Sequence, residues 1–72
     1  MVKLVMDSIA LREKMLRCNV RNKDVARELG ISLSALQRKL KGTTEFSRGE
    51  IKMLISYLDM SNDEVIAIFF DD

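Results

Sequence analysis

The run Val25-Ala26-Arg27-Glu28-Leu29-Gly30-Ile31-Ser32, continued by Leu33-Ser34-Ala35-Leu36-Gln37-Arg38-Lys39-Leu40-Lys41-Gly42, decides how this chain folds. At about 100° per residue, Val25, Ala26 and Leu29 fall on one side of a helix and Lys23 and Arg27 on the other. Gly30 ends that helix, because glycine takes the left-handed conformation at little steric cost. Ser32 then offers its hydroxyl to the free N–H groups of a new helix over Leu33 to Lys41, which Gly42 ends in turn. Asn22 reads as the cap of the first of these helices, over Lys23 to Leu29. Two short helices joined by a glycine turn result, a unit of about residues 22–42 with a small residue, Ala26, where the helices must approach closely.

Working outward, Asp7 or Ser8 can cap an earlier helix in which Leu11, Met15 and Cys18 recur at helical spacing, with Asn19 as its stop. Downstream, Ser47 with Glu50 and Ser61 with Glu64 form two capping boxes, each pairing a hydroxyl with a carboxylate three residues on. Apolar stripes follow both: Ile51, Leu54, Ile55 and Leu58, then Val65, Ile68 and Phe69. They predict helices at about 48 to 58 and 62 to 70. The chain has 72 residues, no Pro and only three Gly, so a single all-α domain spanning 1–72, a bundle of about five short helices, is expected.

Composition excludes several functions. Histidine is absent and Cys18 is the only cysteine, so the usual catalytic triads and metal sites have no raw material. No enzyme, no catalytic residue, no metal, no cofactor and no small-molecule substrate are expected. Cys18 cannot form an intrachain disulfide and is expected to pack as a small apolar residue in a reducing cytoplasm. No apolar run approaches the ~20 residues of a membrane span.

The net charge of +1 conceals a segregation. Arg12 to Lys41 carries nine basic and three acidic residues, a net of +6, whereas Thr43 to Asp72 carries two basic and seven acidic, a net of −5. One half suits phosphate and the other does not.

The stretch Val25 to Ser32, with Leu36 to Gly42, Phe46-Ser47, Glu50-Ile51 and a closing Ile68-Phe69-Phe70, resembles the phage Cro and lambda-repressor-like (Xre) helix-turn-helix family, over about residues 8 to 70. It is similar to the Cro-type and modulator-of-repression proteins of temperate phages of Gram-positive bacteria. Relatives commonly place an apolar residue three positions after the one at Leu36. Here that place holds Lys39, and the apolar residue is Leu40, still at the i to i+4 helical spacing.

The resemblance implies a cytoplasmic transcriptional regulator with two partner classes. One is double-stranded operator DNA, bound as a homodimer. The helix over 33–41 would then enter the major groove, with Ser32, Ser34, Gln37 and Arg38 as base readers; Gln pairs with adenine and Arg with guanine through two hydrogen bonds. Asn22, Lys23, Lys41, Thr43 and Thr44 would hold the phosphate backbone, a role for which ordinary capping and turn chemistry is the alternative. The other partner is the phage's own repressor, bound by an antirepressor on the same scaffold. The modest basic excess and the apolar Leu33 at the start of the recognition helix favour this second reading. Leu33 lies toward the buried side by wheel angle, which favours core packing. If exposed, it can touch a thymine methyl or anchor a protein. Met53, Tyr57, Ile66 and Phe70 flank the stripes of the last two helices, where they either close the core or form an interface.

Overall fold

The computed structural model describes residues 6–69, and among these there are five helices and no strand: α1 (Ser8–Arg17), α2 (Asn22–Leu29), α3 (Leu33–Lys41), α4 (Arg48–Tyr57) and α5 (Asn62–Phe69). The chain is an all-α helix-turn-helix bundle. No helix among the described residues is long and apolar enough to cross a membrane.

Four of the five helices end in the same way. Asn19, Gly30, Gly42 and Asp59 stand at φ 58, 70, 85 and 51. In each case the next residue's N–H reaches back five positions: Val20 to Met15 O, Ile31 to Ala26 O, Thr43 to Arg38 O and Met60 to Ile55 O. The left-handed residue itself donates three positions back, which completes a Schellman turn and satisfies carbonyls the helix end would otherwise leave open. The residue after it packs on the core in three of the turns, as Val20, Ile31 and Met60. In the fourth it is Thr43, which is exposed. The sequence pattern identifies the stops at Asn19, Gly30 and Gly42 but misses Asp59.

Helix starts follow the expected chemistry with one correction. Asp7 accepts from the N–H groups of Ile9 and Ala10, Ser32 Oγ from Ala35 N–H, and both capping boxes form, Ser47 with Glu50 and Ser61 with Glu64. Asn22, expected to cap α2, is instead its first residue. The Asp24 carboxylate accepts the Arg21 N–H at 3.0 Å, so the helix begins one residue earlier and Arg21 holds the cap position.

Leu11 and Met15 of α1, Val25 and Ala26 of α2, Leu36 and Leu40 of α3, and Leu54, Ile68 and Phe69 form the centre of the core, with Phe46, Leu58 and Met60 from the connections. α2 packs on α3 and on α4, and α1 packs on α5. Cys18 is exposed rather than core. Its thiol donates to the Leu58 carbonyl at 3.4 Å and so ties the end of α1 to the end of α4. Phe70 lies outside the described residues.

The charge halves are stitched together. Lys14, only 14% exposed at its side chain, meets Glu64 at 2.9 Å, and Arg17 reaches the same carboxylate at 3.5 Å. Lys39 meets Glu50 at 3.2 Å. The basic half is therefore not uniformly free to face phosphate, since three of its cations serve the fold.

Two predictions follow from these contacts. A Cβ at Gly30 would meet nothing within 4 Å, so the cost of Gly30→Ala is that of the left-handed backbone alone. It is expected to destabilise by about 1 to 2 kcal/mol, with a lower melting temperature by circular dichroism and no change in helix content. Glu64 is held at about 2, below its ordinary 4.5, by the Ser61 N–H first and then by the Lys14 ammonium, which together outweigh its partial burial. A carboxyl with a lowered folded-state pKa adds stability above its unfolded pKa and loses it as pH falls toward the folded value. Thermal stability is thus expected to decline from about pH 4.5 to about pH 2, and Glu64→Gln should be less stable than the parent above that window and flatter within it.

Candidate nucleic-acid interface

α3 is built to show one face. Leu36 and Leu40 are buried, Ala35 and Lys39 are half-buried, and Ser34, Gln37, Arg38 and Lys41 are exposed. At about 100° per residue the four exposed side chains lie next to one another around the helix. The first turn is pinned by Ser32, whose hydroxyl already accepts the Ala35 N–H at 3.1 Å. As a base-reading candidate Ser32 therefore keeps its own O–H to donate but has committed a lone pair to the cap.

The phosphate candidates gather at two ends. Asn22 and Lys23 open α2 and are exposed, and Asn22, freed from the capping role, has its amide available. Lys41, Thr43 and Thr44 close α3 and are also exposed. The main-chain N–H groups of Thr43 and Thr44 turn inward to the Arg38 carbonyl, at 3.0 and 3.5 Å. Only the two hydroxyls remain for a phosphate there. The position after a left-handed cap is apolar in the other three turns, so a hydroxyl at Thr43 is put where packing asks for none.

Some of the cations are held in ion pairs and others are not. Arg27 pairs with Asp24 at 3.1 Å, and Lys14, Arg17 and Lys39 pair with carboxylates of the second half. Lys23, Arg38 and Lys41 form no ion pair among the described residues and stand beside the exposed face of α3 or at the start of α2. Exposed pairs such as Arg27 with Asp24 contribute little to stability.

Leu33 departs from the core packing its wheel angle suggests. It is 44% exposed. Side chains of a helix lean toward its N-terminus, so that of the first residue overhangs the end of α3 instead of facing the core. Met53, Tyr57 and Ile66 are exposed at 42%, 36% and 57%, so none of them is needed to close the core. Sequence reasoning overlooked Ile9 and Leu16 of α1, which are more exposed still at 69% and 77%. Their spacing of seven, out of phase with Leu11 and Met15, is the signal that finds them.

It also noticed Lys39 without finding its role. The ammonium pairs with Glu50, donates to the Glu45 carbonyl at 3.0 Å, and lies 5.8 Å from the centre of the Phe46 ring. Four groups from α3, the following loop and α4 meet there. The Glu50 carboxyl is lowered from 4.5: its partial burial raises it, but the Ser47 N–H and Lys39 outweigh that.

A family model of the Cro/C1-type HTH DNA-binding domain matches residues 10–71. No curated protein and no solved structure gives a match.

Proposed function

The chain belongs to the Cro/C1-type helix-turn-helix family, a family of DNA-binding domains, and from that premise we propose that it is a sequence-specific regulator that binds operator DNA as a Cro-like dimer. The observation that carries this reading is the unpaired, exposed arc of Ser34, Gln37, Arg38 and Lys41 on α3. Residues 1–72 act as one domain, in the cytoplasm of a bacterial host, within the lysis and lysogeny switch of a temperate phage. Ser32, Ser34, Gln37 and Arg38 read bases; Asn22, Lys23, Lys41, Thr43 and Thr44 position the duplex. Met53, Tyr57 and Ile66 supply apolar surface for the dimer. Two recognition helices then meet half-sites about 34 Å apart or a multiple of that.

One observation favours a second reading, that the same face sequesters the phage repressor. Leu33 puts an exposed apolar side chain at the start of α3, where DNA offers only thymine methyls but a protein partner can offer a pocket. The pairing of Lys14, Arg17 and Lys39 with carboxylates also leaves less free positive charge for phosphate than the sequence suggests.

Selection from a random duplex pool, followed by titration of the selected site, tests the first reading. Arg38→Ala is expected to relax discrimination by about 1 to 3 kcal/mol at one base pair, whereas Lys41→Ala weakens all sequences alike and lowers the salt slope by about 1. Equal losses on selected and random DNA for Arg38→Ala remove its base-reading role. For the second reading, Leu33→Glu and Arg38→Glu should each weaken capture of the co-purified repressor by about tenfold or more, as central anchors do. An Arg38→Glu protein that keeps the repressor while losing DNA shows that this face serves DNA.

A further inference from the structure

Lys39 stands on α3 between the buried Leu36 and Leu40, and its side chain is only 16% exposed. A half-buried ammonium is retained at a cost unless its protons are satisfied. Here they are. It donates to the Glu45 carbonyl at 3.0 Å, pairs with Glu50 Oε1 at 3.2 Å, and faces the Phe46 ring at 5.8 Å. Glu50 Oε1 in turn accepts the Ser47 N–H at 2.8 Å. A single ammonium thereby joins the last turn of α3, the loop at 45–46 and the first turn of α4.

The groups assigned to the DNA backbone at this end, Lys41, Thr43 and Thr44, lie between Lys39 and Glu45. The turn is closed on one side by the Arg38 carbonyl, which accepts from Thr43 and Thr44, and on the other by the Lys39 ammonium on Glu45. We propose that Lys39 is a positioning residue of the DNA interface, which without touching DNA holds segment 41–45 in the shape that meets phosphate. This rests on the DNA-binding reading above. A clamped segment loses less conformational freedom on binding, and the gain appears as affinity.

Fluorescence anisotropy with a random-sequence duplex of about 20 bp, between about 50 and 200 mM salt, tests it on the full chain, because each phosphate contact contributes about 0.9 to the salt slope. Lys39→Met should bind about five- to tenfold more weakly and Lys39→Arg within about twofold of the parent. Glu50→Gln keeps an acceptor for the Ser47 N–H but removes the charge that holds Lys39. Simple electrostatics has this variant bind DNA more tightly, since a negative charge is lost; positioning has it bind about two- to threefold more weakly. Lys39→Met matching the parent, or Glu50→Gln binding more tightly, overturns the proposal and leaves the DNA reading standing. A parent protein with no salt-dependent affinity for the duplex overturns both. Circular dichroism confirms helix content for each variant, and if Lys39→Met does not fold, Glu50→Gln decides.

Discussion

Between Leu29 and Ser32 the chain must stop one helix, turn, and start another within three residues, and it does so because Gly30 adopts φ 70. From there the Ile31 N–H reaches the Ala26 carbonyl, and the partly buried Ile31 side chain packs against the core. The direction in which α3 leaves this turn fixes which of its sides meets α2. Leu36 and Leu40 are drawn inward by that contact, and Ser34, Gln37, Arg38 and Lys41 are turned outward by the same rotation. The exposed face is thus a by-product of how the buried one is seated. Repetition of the same turn after α1, α3 and α4 explains how a chain with only three glycines forms five helices among its described residues: two of the four left-handed positions are taken by Asn and Asp, the side chains that tolerate that conformation best after glycine.

Charge plays two roles that composition alone does not separate. A ledger of basic and acidic residues divides the chain into a half for phosphate and a half against it. In the folded protein the halves are coupled through Lys14 with Glu64 and Lys39 with Glu50. Both lysines are largely covered, and each meets a carboxylate that already serves a helix start. Among the described residues Arg12, Arg21, Lys23, Arg38, Lys41, Arg48 and Lys52 stand outside any ion pair, and of these Lys23, Arg38 and Lys41 belong to α2 and α3. Local concentration of like charge beside a shaped surface is what focuses a field, and dispersed charge does not.

The helices were legible from the sequence because their signals are local: a hydroxyl with a carboxylate three residues on, an apolar stripe, a glycine. Boundaries moved by a single residue at α2, where Asp24 binds the Arg21 N–H, a choice between neighbouring caps that periodicity does not resolve. The exposed arc of α3 was legible for the same reason, since helical phase fixes it once Leu36 and Leu40 are inside. Besides the stop at Asp59, three features were not legible. Leu33 has the phase of a core residue but, as the first residue of α3, stays 44% exposed. Cys18 is apolar by composition, yet its thiol meets a carbonyl 40 positions away. The partners of Lys14 and Lys39 come from other helices, 50 and 11 positions along the chain, and no periodicity within one helix contains them.

In α4 and α5 the oxygen that accepts the N–H of the capping residue also receives an ammonium from another helix: Glu50 Oε1 takes Ser47 N–H and Lys39, and Glu64 Oε1 takes Ser61 N–H and Lys14. Nucleation and docking therefore share an atom. Helices of ten and eight residues are too short to persist alone in water, and here the event that would start each is strengthened by the event that anchors it. Separate fraying of either helix breaks both bonds at once. The amide protons of α4 and α5 should accordingly exchange with solvent through cooperative opening of the whole domain more than through local melting.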